Sequence, residues 1–430
     1  MSGVDPAVTV VIPTRHRAAS LSRGLEALQR QDVPAGHVEV VVVDDGDGDP
    51  PLARESPSGL TVRLLRNRGR GAAAARNTGA AAATGPLLLF LDDDIEASPG
   101  LIRAHLEAVT RGASLSVGYL PAQPAASHGF FAVTLRNWWE AMFAEMRQPG
   151  HRFTFRDVLS GNCAITADLF RRVGGFDEAL ACHEDYELGY RVLRAGARPT
   201  FCPEAAGVHH EVTTLERSLE RKRAEGRADV AIVRKHPELL VSLPMNGALA
   251  RWGDRAALWK LPFASPSAAG RAVTSFGRRL AVFEALRMRG RWLRRLDGML
   301  EIAYWQGVAA ETGSLEAFHQ LVRAAASAAG AAAWWLRVDL RDGVKQAARR
   351  VDAFGPDGLV VEYHGEAVGL LPATPGAEPL RGAHLEEALA GRLAWPLLGA
   401  LGRTGNAPIE ERDGRLVPSR CLPREPLDLR

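Results

Sequence analysis

Three aspartates in a row, Asp92, Asp93 and Asp94, directly follow the apolar run Leu87–Leu91. Adjacent carboxylates repel one another and are costly to desolvate, and a bound divalent cation removes that cost. Hard oxygen donors suit Mg²⁺ or Mn²⁺, which share their coordination with substrate phosphates. A solvated acidic turn is the alternative, and the position at a strand end favours the metal. Asp44 and Asp45 close a second apolar run. Carboxylates there can accept hydrogen bonds from ribose hydroxyls or a base N–H, or simply end the strand. His183, Glu184 and Asp185 precede Glu187, Tyr190, Arg191 and Arg194, which recur at helical spacing. The positive end of such a helix favours carboxylates, and one of them could take a proton from a hydroxyl. A capping cluster is the alternative. His209 and His210 follow the strand-like FCPEAAGV, where a histidine can ligate a metal. Zinc is disfavoured, since the acids are hard ligands and no cysteine pair has finger spacing.

The elements that must position these groups alternate. VTVVIP and VEVVVVDD are β-branched runs of the kind that form strands buried on both faces. TVRLL and PLLLFLDDD add a third and a fourth strand. Between them, Ser20 reads as the N-cap of a helix carrying Leu21, Leu25 and Leu28, and GAAAARNTGAAAA as a second helix. Strand–helix alternation implies a mostly parallel sheet with helices on both faces, and ligands of such sheets sit at the carboxyl ends of the strands. Both acidic clusters fall there. Pro244–Gly270 breaks the pattern and reads as a boundary, and residues 271–335 read as helical. GLVVEYHGEAVGLL is a hairpin around Gly365, and HLEEALAGRLAWPLLGAL a helix stopped near Pro396.

At 430 residues the chain is too long for one ordinary domain. With 46% hydrophobic and 24% charged residues it is neither collagenous, disordered nor a disulfide scaffold. A formal charge of +3 excludes a bulk polyanion coat, so no nucleic-acid partner is expected. Four cysteines without a C-x-x-C pair (Cys163, Cys182, Cys202, Cys421) read as buried thiols of a reducing compartment. The N-terminus lacks a signal-peptide pattern, and the run Ala324–Leu336 is too short to span a bilayer and reads as a packed helix. The expected location is cytoplasmic. Arg287, Arg289, Arg291, Arg294 and Arg295, interleaved with Met288, Trp292 and Leu293, suggest either peripheral contact with anionic lipid at the inner membrane face or a solvated helix face.

In order and spacing, VTVVIPTRHR, VVVDDGD, RGRGAAAARNTGAAAATGPLLLFLDDDI, LSGNCAI, VGGFDEAL, HEDYELGYRVLRAG and VHH resemble family 2 glycosyltransferases, over roughly residues 6–240. The resemblance implies a GT-A fold, a Rossmann-like mixed α/β sheet flanked by helices, over 1–245. A helical accessory region (246–335) and a small α+β module (336–430) of unnamed role follow. It implies inverting transfer of a sugar from a UDP-, GDP- or dTDP-sugar to a glycan, lipid-linked or other hydroxyl acceptor, with Mn²⁺ or Mg²⁺. Carried over by position, Pro13, Thr14 and Arg15 line the nucleotide pocket, and Asp44 and Asp45 bind the base or ribose. Arg76 and Asn77 lie near the donor. Asp92 and Asp94 take the first and third places of the D-x-D motif, with Asp93 supporting. Asp185 matches the catalytic base, with Glu184 beside it. His209, or else His210, lies near the metal and diphosphate. Gly174, Gly175, Phe176, Asp177 and Asn162 stand on the acceptor side.

Two rivals remain. Gly69-x-Gly71 after a strand, with Asp92 some twenty residues on, imitates a dinucleotide fingerprint and suggests an NAD(P)-dependent oxidoreductase. That motif follows the third strand, however, and one ribose-binding acid needs no acidic neighbours. A non-catalytic carbohydrate-binding relative is the other, against which the intact Asp92–Asp94 and Asp185 argue. Oligomeric state is not legible.

Overall fold

Burial follows the apolar runs. In the computed structural model, which describes residues 5–47, 60–121, 129–210, 213–249, 254–328, 333–404, 409–412 and 415–418, the runs VTVVIPT, VEVVVVD and LLLFL form strands that are buried along almost their whole length. The chain forms two units, one of residues 1–147 and 154–330, the other of 148–153 and 331–430.

The first unit runs β1 (Val8–Thr14), α1 (Ala18–Gln29), β2 (Val38–Asp44), β3 (Thr61–Arg66), α2 (Gly71–Ala82), β4 (Leu87–Leu91), β5 (Ile95–Ala97), α3 (Leu101–Thr110), β6 (Leu115–Tyr119) and α4 (Phe130–Met146). It continues with β7 (Asn162–Thr166), α5 (Ala167–Arg172), α6 (Glu184–Arg194), β8 (Pro199–His209), α7 (Leu215–Lys235), α8 (Pro244–Leu249), α9 (Asp254–Ala264), α10 (Pro266–Ala285), α11 (Arg289–Thr312) and α12 (Leu315–Ala328). The sheet order is β3-β2-β1-β4-β7-β6-β8-β5. Strands β3, β2, β1 and β4 are parallel, and β7 enters antiparallel between β4 and β6. This is the mixed α/β sheet that the GT-A resemblance implies. One face of the sheet buries Val10, Val40 and Leu89 against Leu21, Leu25 and Leu28 of α1 and Ile102 of α3. The other packs Val41 and Val43 on Ala75 of α2. Gly79 lets α2 lie this close, since a Cβ there would stand 2.4 Å from Val11 Cγ1.

Some local expectations need correction. Ser20 is not an N-cap: α1 starts at Ala18, with Arg17 in the cap position and no side-chain cap bond. Arg17 is anchored by acids on the next strand end, which fixes the helix start without a capping hydroxyl. Pro244–Gly270 is not a break between units. Its helices join the first unit, where Trp259, Tyr304, Trp305 and Phe318 share one core with Tyr190 of α6 and Val230 and Val233 of α7. Helices α7 and α11 meet backbone to backbone at two glycines. A Cβ on Gly226 would lie 2.1 Å from the Tyr304 carbonyl oxygen, and one on Gly307 2.0 Å from that of Arg223.

The run Ala324–Leu336 does not form one helix: α12 ends at Ala328, and Trp335 opens a strand. At the start of α11, Trp292 is buried while Arg287, Arg289, Arg291 and Arg294 are exposed. The Arg295 guanidinium lies 4.9 Å from the Phe276 ring centre. The apolar members of that stretch thus turn inward. Among the described residues no helix is long and apolar enough to cross a membrane.

The second unit has a three-stranded sheet of β9 (Trp335–Asp339), β10 (Gly358–Tyr363) and β11 (Glu366–Leu371), with α13 (Val344–Phe354) between its parallel strands β9 and β10. The β10–β11 hairpin turns at His364 and Gly365, both at positive φ, as a two-residue hairpin turn requires. The expected helix ending near Pro396 is two helices, α14 (Gly382–Ala390) and α15 (Ala394–Arg403). Gly391 ends the first. Pro396 sits in the opening turn of the second, where its missing N–H costs no helical bond. A two-stranded ribbon, β12 (Ile409–Arg412) and β13 (Arg415–Pro418), follows. Cys163 and Cys202 are buried free thiols and Cys182 is partly buried. Cys421 lies outside the described residues.

Candidate active site

Strands β1, β2 and β4 end on one rim. The order 3-2-1-4 reverses the winding between β1 and β4, so the crevice of an open sheet falls between their carboxyl ends. The residues after β1 and β4 meet there. The Thr14 hydroxyl donates to Asp93 Oδ2 at 2.7 Å. The Arg17 guanidinium donates to Asp94 Oδ2 at 2.8 Å and Asp93 Oδ1 at 3.2 Å. Pro13 is partly buried on the same strand, and Arg15 is exposed, 4.0 Å from Asp47. Burial pushes the Asp93 carboxyl up, against Thr14 and Arg17. For Asp94 burial is outweighed by His209 and Arg17, which hold it below its ordinary value.

A divalent cation fits Asp94. Its Oδ1 is buried without a hydrogen-bond partner, and His209 Nε2 lies 3.3 Å away. The pairing of Ile95 with His209 between β5 and β8 sets that approach. His210 points elsewhere, its ring on Glu96 at 2.9 Å, while its backbone N–H donates to the Asp94 carbonyl. Among the described residues no three His, Cys, Asp or Glu side chains are gathered so as to hold a metal ion, so the protein's own share of such a site is this pair. Mg²⁺ and Mn²⁺ suit an open pair of this kind, because they keep water and phosphate oxygens in their shell.

Arg76, one turn into α2, is only 4% exposed. It donates to Asp92 Oδ1 and to Glu184 Oε1, each at 2.8 Å, and lies 5.5 Å from the Phe176 ring centre. The D-x-D segment and the start of α6 are therefore tied through one guanidinium. Asp185 follows Glu184. Burial, then the neighbouring Glu184 charge, push its carboxyl up to about 6, while His183 and Arg76 limit the rise. Apolar Phe90, Phe176 and Leu188 line the same small cleft as Asp185. Cys163 in that lining is no nucleophile, since burial pushes its thiol up to about 12.

Other expected site residues are engaged within the fold. Asp44 accepts from Arg66 and from the Gly46 N–H, and Asp45 accepts from Asn67 and from the Gly71 N–H. The start of α2, where a dinucleotide pyrophosphate would need to sit, thus already holds a carboxylate. Asn77 makes paired bonds with the Phe176 peptide, 2.9 Å each way, and so fixes the Gly174–Asp177 loop. Gly174 and Gly175 both have positive φ, and Phe176 packs on Phe90 and Phe170. Asp177 pairs with Lys235. Asn162 is buried rather than facing the cleft, bonded to His105 and the Ala205 carbonyl. Burial drives His105 down to about 4, so it is a neutral link. The sequence reading missed Arg17, Asn67, Asp229 and Tyr304 as site-supporting residues. The R-H-R triplet after β1 was a signal for the first. The others lie in segments with no motif.

A Glycosyl transferase family 2 profile matches residues 9–174. Validoxylamine A glucosyltransferase of Streptomyces hygroscopicus subsp. jinggangensis is 34% identical over 275 residues, covering 55% of this chain and 63% of that protein. The pre-mycofactocin glycosyltransferase of Mycobacterium tuberculosis is 31% identical over 258 residues, covering 57% of this chain and 52% of that one. The glycosyltransferase AglE of Haloferax volcanii is 31% identical over 221 residues, covering 49% of this chain and 68% of that one. The chain therefore spans between about half and two thirds of the length of these relatives. Matched motifs, sheet order and relatives agree: this chain belongs to glycosyltransferase family 2.

Proposed function

We propose that the protein is an inverting, divalent-metal-dependent glycosyltransferase that moves a sugar from a nucleoside-diphosphate sugar to a hydroxyl acceptor. The observation that carries this reading is the Arg76 bridge, which ties Asp92 of the D-x-D segment to Glu184, the neighbour of Asp185, while Asp94 of the same segment faces His209. Asp94 and His209 would hold the ion, with Asp92 and Asp93 in its surroundings. When bound, a divalent cation stabilises the charge that develops on the departing diphosphate. Arg17 and Arg76 offset part of the negative charge of the acidic rim, which eases the approach of an anionic donor. Asp185 accepts the proton of the acceptor hydroxyl as that oxygen attacks the anomeric carbon. A carboxyl raised to about 6 is still ionised at pH 7 and is a stronger base than an ordinary aspartate. One base and an in-line displacement give inversion. The donor base is uracil, guanine or thymine, and the acceptor a glycan, a lipid-linked chain or a small metabolite; the exposed arginines at the start of α11 would favour an anionic lipid surface.

The test is Asp185→Asn. Release of nucleoside diphosphate from UDP-glucose, GDP-mannose and dTDP-glucose identifies the donor for the wild type. The variant should then bind that donor within about twofold of wild type and lose transfer by at least about 10²-fold. Wild-type turnover in the variant would end the base assignment.

A further inference from the structure

The residue before the Glu184–Asp185 pair has no role in that reaction. His183 stands at the start of α6 but makes no side-chain cap bond. Its φ is +57°, a conformation that a non-glycine residue keeps only when its surroundings hold it. Those surroundings are specific. Nδ1 lies 2.7 Å from Asp229 Oδ1 on α7. Asp229 is fully buried, and its other oxygen accepts from the Tyr304 hydroxyl on α11 at 2.6 Å. Tyr186 stacks on the imidazole with ring centres 4.3 Å apart. The glycine crossing of α7 and α11 brings Tyr304 within reach of Asp229. A buried carboxylate with no cation beside it would be costly, which argues for a charged ring at His183.

We propose that Tyr304, Asp229 and His183 form a positioning chain, in which two helices beyond the family-matched stretch hold an imidazolium beside Asp185 and keep that carboxylate ionised for its task. The proposal rests on the reading of Asp185 as proton acceptor. The groups around His183 and Asp185 are Arg76 from α2, Glu184 and Tyr186 from α6, Arg221, Glu225 and Asp229 from α7, and Tyr304 from α11. Burial opposes a charged ring, but Asp229 and the other acids outweigh it and hold His183 above its ordinary value. The ring's charge in turn opposes the burial that raises Asp185. His183 is a positioning residue, not a catalytic one.

The experiment reads Asp185 without any substrate. Aspartate is labelled with ¹³C at the side-chain carboxyl, and the Asp185 resonance is assigned by its loss in Asp185→Asn. Its titration midpoint is then followed in the full chain. His183→Gln, which keeps a polar side chain without charge, should raise that midpoint by about 1, the shift expected for losing one opposite charge nearby. Asp229→Asn, which removes the reason for His183 to stay charged, should raise it in the same direction. His183→Lys, which restores the charge, should return it toward wild type. A midpoint unchanged in His183→Gln overturns the proposal, and this variant decides alone if Asp229→Asn does not fold. If Asp185→Asn keeps turnover, the base reading fails while the electrostatic coupling still stands, so the two failures are distinguishable.

Discussion

Replacing Arg76 with methionine keeps the length of the side chain and removes its charge. In the wild type the guanidinium is 5% exposed and bonds Asp92 and Glu184, whose side chains are 35% and 14% exposed. Breaking one side of a buried ion pair typically costs about 3–5 kcal/mol, because the remaining charge is left without compensation. Asp92 is exposed enough to recover water, which places the expected loss near the lower end, about 3 kcal/mol at pH 8. The variant has an escape. Asp185 already titrates at about 6, so taking up a proton at pH 7 costs only about 1.4 kcal/mol. The sign follows from proton counts. Between the ordinary aspartate pKa and the raised folded one, the folded protein holds a proton that the unfolded chain has released, so stability falls as pH rises through this window. Without Arg76 the cluster gains more from protonation, so the deficit should be greatest at pH 8 and shrink to about half by pH 5. Urea unfolding followed by circular dichroism at pH 5, 6, 7 and 8 measures it. A deficit below about 1 kcal/mol, or one equal at pH 5 and pH 8, would refute the claim that Arg76 compensates a buried acidic cluster.

Asp94→Ala removes the buried oxygen that faces His209. It should weaken Mn²⁺-dependent binding of the nucleoside diphosphate by at least about tenfold while leaving metal-free binding near wild type, and calorimetry with and without Mn²⁺ measures both. Gly226→Ala places a Cβ against the Tyr304 carbonyl oxygen, so the helices must part. Thermal or urea unfolding should show a loss of about 1–3 kcal/mol, and a variant as stable as wild type would mean the crossing is looser than described.

The interior of the sheet was legible because parallel strands buried on both faces read as near-continuous apolar runs, as β1, β2 and β4 do apart from Thr9 and Glu39. The acidic ends of β2 and β4 followed from the same reasoning, and the structure gathers Thr14, Arg17 and Asp92–Asp94 on that rim. What escaped has physical causes. Strand β5 is three residues long, too short for a periodic signal. The chain passes through Gln148–Phe153 of the second unit before returning to the first, and such a short excursion leaves no trace in composition. Arg76 and Asn77 are one step apart on α2 yet serve different partners, Arg76 the two acids and Asn77 the Phe176 peptide. That division depends on helix phase relative to a loop a hundred residues away. Asn162 sits in a motif that reads as acceptor-side, and its register opposite Leu91 turns it toward His105 instead. Partnerships between distant segments, such as Asp229 with Tyr304, have no sequence period at all.

The resemblance in motifs stops near residue 240, but the carboxylate of Asp229 needs a hydroxyl from residue 304. Pruning the chain back to its recognisable stretch would therefore not liberate a smaller working enzyme. It would strip the ceiling from an interior anion and slacken the very turn that presents the pair of acids. Grafting the downstream helices from one relative onto another should fail for the same reason, unless both glycines and the tyrosine travel with them.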